Sequence, residues 1–89
     1  MISSKLNSNQ RRTLDAVFRQ PVPQGVRWSD VESLVAALGG SLSERKGSRV
    51  ALSLNGKRAV FHRPHPSPLT DRNALRNMRE FLERAGIKP

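Results

Sequence analysis

Apolar positions recur along this chain with two different periods, and the switches between them divide it into helices and strands. Over residues 8–20, Leu14, Val17 and Phe18 make one apolar stripe, and Asp15 and Arg19 form an i,i+4 pair. This predicts a first helix, capped by Asn7 or Ser8. Gln20-Pro21-Val22-Pro23-Gln24-Gly25 ends it, because proline removes an amide donor and glycine releases the backbone. Val31, Leu34, Val35 and Leu38 then follow at i, i+3, i+4 and i+7, a second helix that starts at Ser29. Ser29-Asp30-Val31-Glu32 reads as its capping box, and Gly39-Gly40 as its stop. Trp28, just before the cap, is expected to pack under this helix.

From Ser41 the period drops to two. Residues 41–46 predict a short strand with Leu42 inward, and Gly47-Ser48 turns it into a second strand over 49–55. Asn55-Gly56 between alternating runs predicts a tight type I′ hairpin, since both residues tolerate positive φ. A third strand follows at 57–63. Counting outward from a two-residue loop pairs Leu54 with Lys57, Leu52 with Ala59 and Val50 with Phe61 on an apolar face. The other face pairs Ser53 with Arg58, Ala51 with Val60 and Arg49 with His62. A slip of one residue would exchange the two faces. Pro64 and Pro66 end the sheet.

The last helix spans 70–85. It has Asp71 at its N-terminal dipole and a buried stripe of Leu75, Met78 and Leu82 flanked by Phe81 and Ala85; Gly86 closes it. Arg72, Arg76 and Arg79 form a separate basic stripe at i, i+4 and i+7. The predicted class is α+β: a helix, a three-stranded antiparallel sheet and a helix, with both helices on one sheet face and an extra N-terminal helix. Double-stranded-RNA-binding domains share this arrangement. Residues 1–25 are expected to form the added helix and linker, and residues 26–89 the domain.

Charge narrows the function. Sixteen Lys and Arg against seven Asp and Glu give a net charge of +9 over 89 residues, which favours a polyanionic partner. Arg45, Lys46, Arg49, Lys57, Arg58 and Arg63 all fall in the sheet region, with no acid between Arg45 and Arg63. Only Trp28 and three Phe are aromatic, so the core is small and aliphatic. The absence of cysteine excludes disulfides and thiolate metal sites and fits a reducing compartment. No apolar run approaches the ~20 residues of a membrane span. The segment from Met1 to Asn7 lacks an apolar signal core, so a cytoplasmic protein is expected.

The acids are scattered over helices apart from Glu44, with no converging set for a two-metal nuclease. His62 and His65 have an H-x-x-H spacing but no third ligand, and no glycine-rich loop opens a helix, so neither a metal nor a cofactor is expected. Metal-free RNA cleavage needs less. The ribose 2′-OH is the nucleophile, a histidine serves as base or acid, and arginine supplies charge for the phosphorane. Arg49 and His62, with Ser48, Arg63 and His65 nearby, bring these groups together on the outward sheet face. The same residues also fit a non-catalytic RNA-binding module, or a basic interaction protein that receives an acidic partner.

From Trp28 to Ile87 the chain resembles the HicA-type toxins of bacterial toxin–antitoxin systems. The likeness runs through the helix at 29–38, Gly39-Gly40, Arg45-Lys46-Gly47-Ser48, Arg63-Pro64-His65-Pro66, the helix at 70–85 and Ala85-Gly86-Ile87. It covers about two thirds of the chain and omits the first helix. The resemblance implies a double-stranded-RNA-binding-like fold, metal-independent mRNA cleavage, translation arrest, and neutralisation by a HicB-type antitoxin. It departs at one place. The family's Gly-Ser-His motif, which carries its catalytic histidine, here reads Gly47-Ser48-Arg49. The candidates for chemistry are therefore His62 first, with Arg49, and then His65. Arg45, Lys46, Ser48, Arg58, Arg63, Arg72, Arg76 and Arg79 are the expected RNA contacts.

Overall fold

The computed structural model describes residues 6–89; the first five, part of the segment read as lacking a signal core, lie outside them. Along the chain come α1 (Ser8–Val17), α2 (Trp28–Ala37), β1 (Ser41–Glu44), β2 (Arg49–Leu54), β3 (Lys57–His62) and α3 (Arg72–Arg84). The strands form one antiparallel sheet in the order β1-β2-β3. This is the α+β class expected from the pattern. No helix among the described residues is long and apolar enough to cross a membrane.

The hairpin register agrees with the count from the turn at all six pairs, from Leu54 opposite Lys57 to Arg49 opposite His62. Asn55 and Gly56 take φ of 51° and 80°, the positive values a type I′ turn requires. The turn is also anchored from outside, because Asn55 Nδ2 donates to the Ala85 carbonyl at 2.8 Å. Val50, Leu52, Leu54 and Phe61 on the inner face join buried residues of all three helices in one core. The helices therefore cover one face of the sheet. Phe61 is central to that core, with ring centroids 5.6 Å from Trp28 and 6.4 Å from Phe81.

Several local expectations are corrected. The capping box lies at the start of α1, where the Asn7 side chain accepts from the Gln10 amide and Gln10 Oε1 accepts from the Asn7 amide. α2 begins one residue early, at Trp28, with Arg27 at its N-cap and no side-chain cap. Glu32 is drawn elsewhere: its Oε2 accepts from Trp28 Nε1 at 2.6 Å and from Arg63 Nε at 2.8 Å. α1 ends at Val17 rather than at residue 20, and α3 is shorter at both ends, with Asp71 as its N-cap, accepting from the Ala74 amide. β1 stops at Glu44, although the Arg45 amide still donates to the Arg49 carbonyl.

Leu42 shares the inner row with Leu52 but is 36% exposed, because β1 is an edge strand and the helices do not cover its outer margin. Ala51 belongs to the outward face yet is buried, whereas Val60 opposite it is 53% exposed. A single methyl group lies below the level of its taller neighbours.

α1 is built into this core. Leu14 and Val17 are fully buried among residues of α2 and α3. Arg79 of α3 donates to the carbonyls of Val17 and Arg19, each at 3.0 Å, which satisfies orphan carbonyls at and beyond the end of α1. At the opposite end, the Trp28 amide donates to Pro68 and the Thr70 amide to Val26, so the loop after β3 is sewn to the start of α2.

Candidate functional site

The open face of the sheet is fixed by the hairpin register. Its rows are Ser41, Ser53 and Arg58; Ser43, Ala51 and Val60; and, at the end away from the Asn55 turn, Arg45, Arg49 and His62. Directly opposed residues on one face have Cβ atoms about 4.5–5.5 Å apart. The last row therefore brings two guanidinium groups and an imidazole within reach of one phosphodiester. His62 is exposed, as a group that must meet a polymer has to be.

The turn before β2 shapes this row. Gly47 and Ser48 both have positive φ, 70° and 65°. A non-glycine residue there is held against a conformational cost of about 1–3 kcal/mol. The Ser48 carbonyl accepts from the Arg63 amide, which extends the ladder one step past His62. Arg49 Nε donates to the Lys46 carbonyl at 3.0 Å, so one edge of its guanidinium is tied down while the rest remains on the surface. The backbone around Arg49 and His62 is thus held on both strands.

Arg63 has a different environment from the other arginines. It lies one residue past His62 and so points to the inner side, where Nε meets Glu32 at 2.8 Å and Nη1 meets Glu44 at 2.6 Å. Hydrogen bonding and charge from these two carboxylates push the guanidinium pKa well up, and Arg63 in turn holds the Glu44 carboxyl below its ordinary value. Arg63 clamps the end of β3 to α2 and β1, directly beside His62.

The remaining expected RNA contacts fall on more than one surface. Arg58 lies on the open face with Arg45 and Arg49, and Lys46 and Ser48 lie in the adjoining turn. Arg79 reaches toward α1, so the stripe of Arg72, Arg76 and Arg79 runs on the flank of α3 that faces α1. It does not continue the basic sheet face. His65 is exposed in the loop after β3, outside the strand ladder and outside the row of Arg49 and His62. Among the described residues, no three His, Cys, Asp or Glu side chains come together as a metal site.

Sequence reading missed two parts of this region. The clamp of Glu32 and Glu44 on Arg63 joins residues 31 and 19 positions apart, which local spacing does not reveal. A shallow cavity of about 210 Å³ also opens between β3 and the first turns of α3, bounded by Val60, His62, Asn73 and Asn77 among others. The only sequence signal for it was the i,i+4 spacing of two asparagines, which means nothing until α3 is docked beside β3.

A family model described as HicA toxin of bacterial toxin-antitoxin matches residues 28–87, about two thirds of the chain. No curated protein and no solved structure matches it. The matched segment runs from the first residue of α2 to just past α3 and contains the whole sheet. The chain belongs to the HicA toxin family of bacterial toxin–antitoxin systems.

Proposed function

We propose that this protein is a toxin that binds and cleaves mRNA without a metal, with His62 and Arg49 at the reacting phosphate. The observation that carries this reading is the direct opposition of Arg49 and His62 on the open sheet face, with Arg45 completing the row. Arg49 occupies the position of the family's histidine. Its cross-strand partner is the nearest imidazole that the ladder supplies.

In this reading, Arg49 and Arg45 hold the non-bridging phosphate oxygens and offset the charge of the phosphorane. His62 accepts the 2′-OH proton as that oxygen attacks phosphorus. The bond to the 5′-oxygen breaks, the leaving oxygen is protonated by the imidazolium, and the products are a 2′,3′-cyclic phosphate and a 5′-hydroxyl. The substrate provides the nucleophile, and the scattered acids fit a reaction that recruits no metal. Arg58, Lys46 and Ser48 extend the phosphate-binding surface. Arg63 acts as a positioning residue for the end of β3. Such an activity arrests translation in the cytoplasm, and a HicB-type antitoxin that covers the basic face neutralises it.

Induced expression in a bacterial host tests this. Wild type is expected to arrest growth, and His62→Ala to be harmless at equal soluble level. Growth arrest by a His62→Ala, His65→Ala double variant would overturn histidine catalysis.

A further inference from the structure

The cavity between β3 and α3 shares His62 with the row at the phosphate, and its other lining residues lie outside that row. Val60, Phe61 and His62 from β3 bound one side; Asp71, the α3 N-cap whose Oδ1 accepts from the Ala74 amide, bounds the other together with Asn73, Ala74 and Asn77. Its volume of about 210 Å³ is below the ~300–1,000 Å³ of ordinary small-molecule pockets, so it takes one ring system rather than a whole nucleotide. Asn73 and Asn77 are one helical turn apart on the flank of α3 opposite the arginine stripe. Both are exposed, and among the described residues neither amide has a hydrogen-bond partner within the protein. Val60, the most exposed large apolar residue described, supplies a flat apolar contact at the rim.

The chemistry of this lining is selective. Two uncharged amides present donors and acceptors, and the Asp71 carboxylate beside them accepts hydrogen bonds and repels phosphate, unlike the cations across the sheet face. Unstacked bases in single-stranded RNA are recognised by such groups on their Watson–Crick and Hoogsteen edges. An asparagine amide pairs in two-point fashion with the adjacent donor and acceptor of adenine. A strand whose phosphate lies over Arg49 and His62 can turn a neighbouring base outward over Val60 and into this cavity.

We propose that Asn73 and Asn77 form a base-specificity subsite that receives one unpaired adenine next to the phosphate held by Arg49 and His62. The inference rests on the RNA-cleaving reading for the placement of that phosphate, but base selection can be measured without cleavage. Fluorescence anisotropy with 2′-O-methyl hexanucleotides, which have no free 2′-hydroxyl, reads binding alone. The full-length protein is expected to bind the adenine hexamer at least about fivefold more tightly than the uracil or cytosine hexamer. The Asn73→Ala, Asn77→Ala variant should lose that preference while its affinity for the uracil hexamer stays within about twofold. An adenine preference that survives in the double variant overturns the subsite, as does wild-type binding with no base preference. Cleavage of unmodified RNA, assayed in parallel, separates the two claims. Cleavage without base preference defeats the subsite alone; preference abolished in the double variant, with no cleavage by wild type, defeats the cleavage reading and leaves the subsite standing.

Discussion

Truncating Leu14 tests whether α1, which lies outside the family match, is part of the domain that carries the sheet. Leu14 is 1% exposed and packs into the same core as Phe81, Leu34 and Val50. Leu14→Ala removes three buried carbons, worth about 2.4 kcal/mol at roughly 0.8 kcal/mol each. The void left behind raises the expected loss to about 2.5–5 kcal/mol, the range of such core truncations. A chain of 89 residues has a total stability of about 4–13 kcal/mol, so this is a large fraction of it. The melting temperature should fall by at least about 10 °C. Urea denaturation followed by far-ultraviolet circular dichroism measures the change, with Arg12→Ala on the exposed side of α1 expected to stay within about 0.5 kcal/mol. A Leu14→Ala loss below about 1 kcal/mol, with an unchanged denaturant slope, would refute the reasoning. In that case α1 would be an appendage.

Two further predictions concern the frame around the open face. A Cβ at Gly40 would lie 2.7 Å from the Ser53 carbonyl oxygen of β2 and 2.9 Å from that of Val35 in α2, so Gly40→Ala must push the chain between α2 and β1 away from both. It should cost about 3 kcal/mol in denaturant titrations, the upper end for overpacking, and a loss under about 0.5 kcal/mol would contradict the close approach. Arg63 depresses the Glu44 pKa, so the folded state holds this proton less tightly than the unfolded chain does. The Glu44 contribution is therefore present above the unfolded value of about 4.3 and is lost as pH falls through the lower folded value. Wild type should be more stable than Glu44→Gln at pH 7, and the gap should close as pH falls below the ordinary glutamate range; a gap independent of pH would exclude the ion pair as its source.

The hairpin was legible because a two-residue turn leaves one register, and Asn55-Gly56 specifies that turn from two adjacent residues. Alternation over residues 49–62 then assigned each side chain to a face, including the opposition of Arg49 and His62. The start of α2 was misread for the opposite reason. Ser29-Asp30-Val31-Glu32 is indistinguishable in sequence from a capping box, but the Glu32 carboxylate is claimed by Trp28 and by Arg63, and the latter is brought near only by the sheet. The α3 arginines formed a correct helical stripe, yet its direction depends on where α1 docks, which periodicity does not encode. Asn73 and Asn77 were silent because neither hydrophobicity nor charge marks them; only the approach of β3 makes them the wall of a cavity.

The most direct measurement of the central claim is RNA cleavage by purified protein in EDTA, beside His62→Ala, with the ends of the products identified. Wild type is expected to leave 2′,3′-cyclic phosphate and 5′-hydroxyl ends, and the variant to cleave at least about 100-fold more slowly, as for loss of a general base. RNA bound by folded wild-type protein without products, or equal cleavage by His62→Ala, would contradict it.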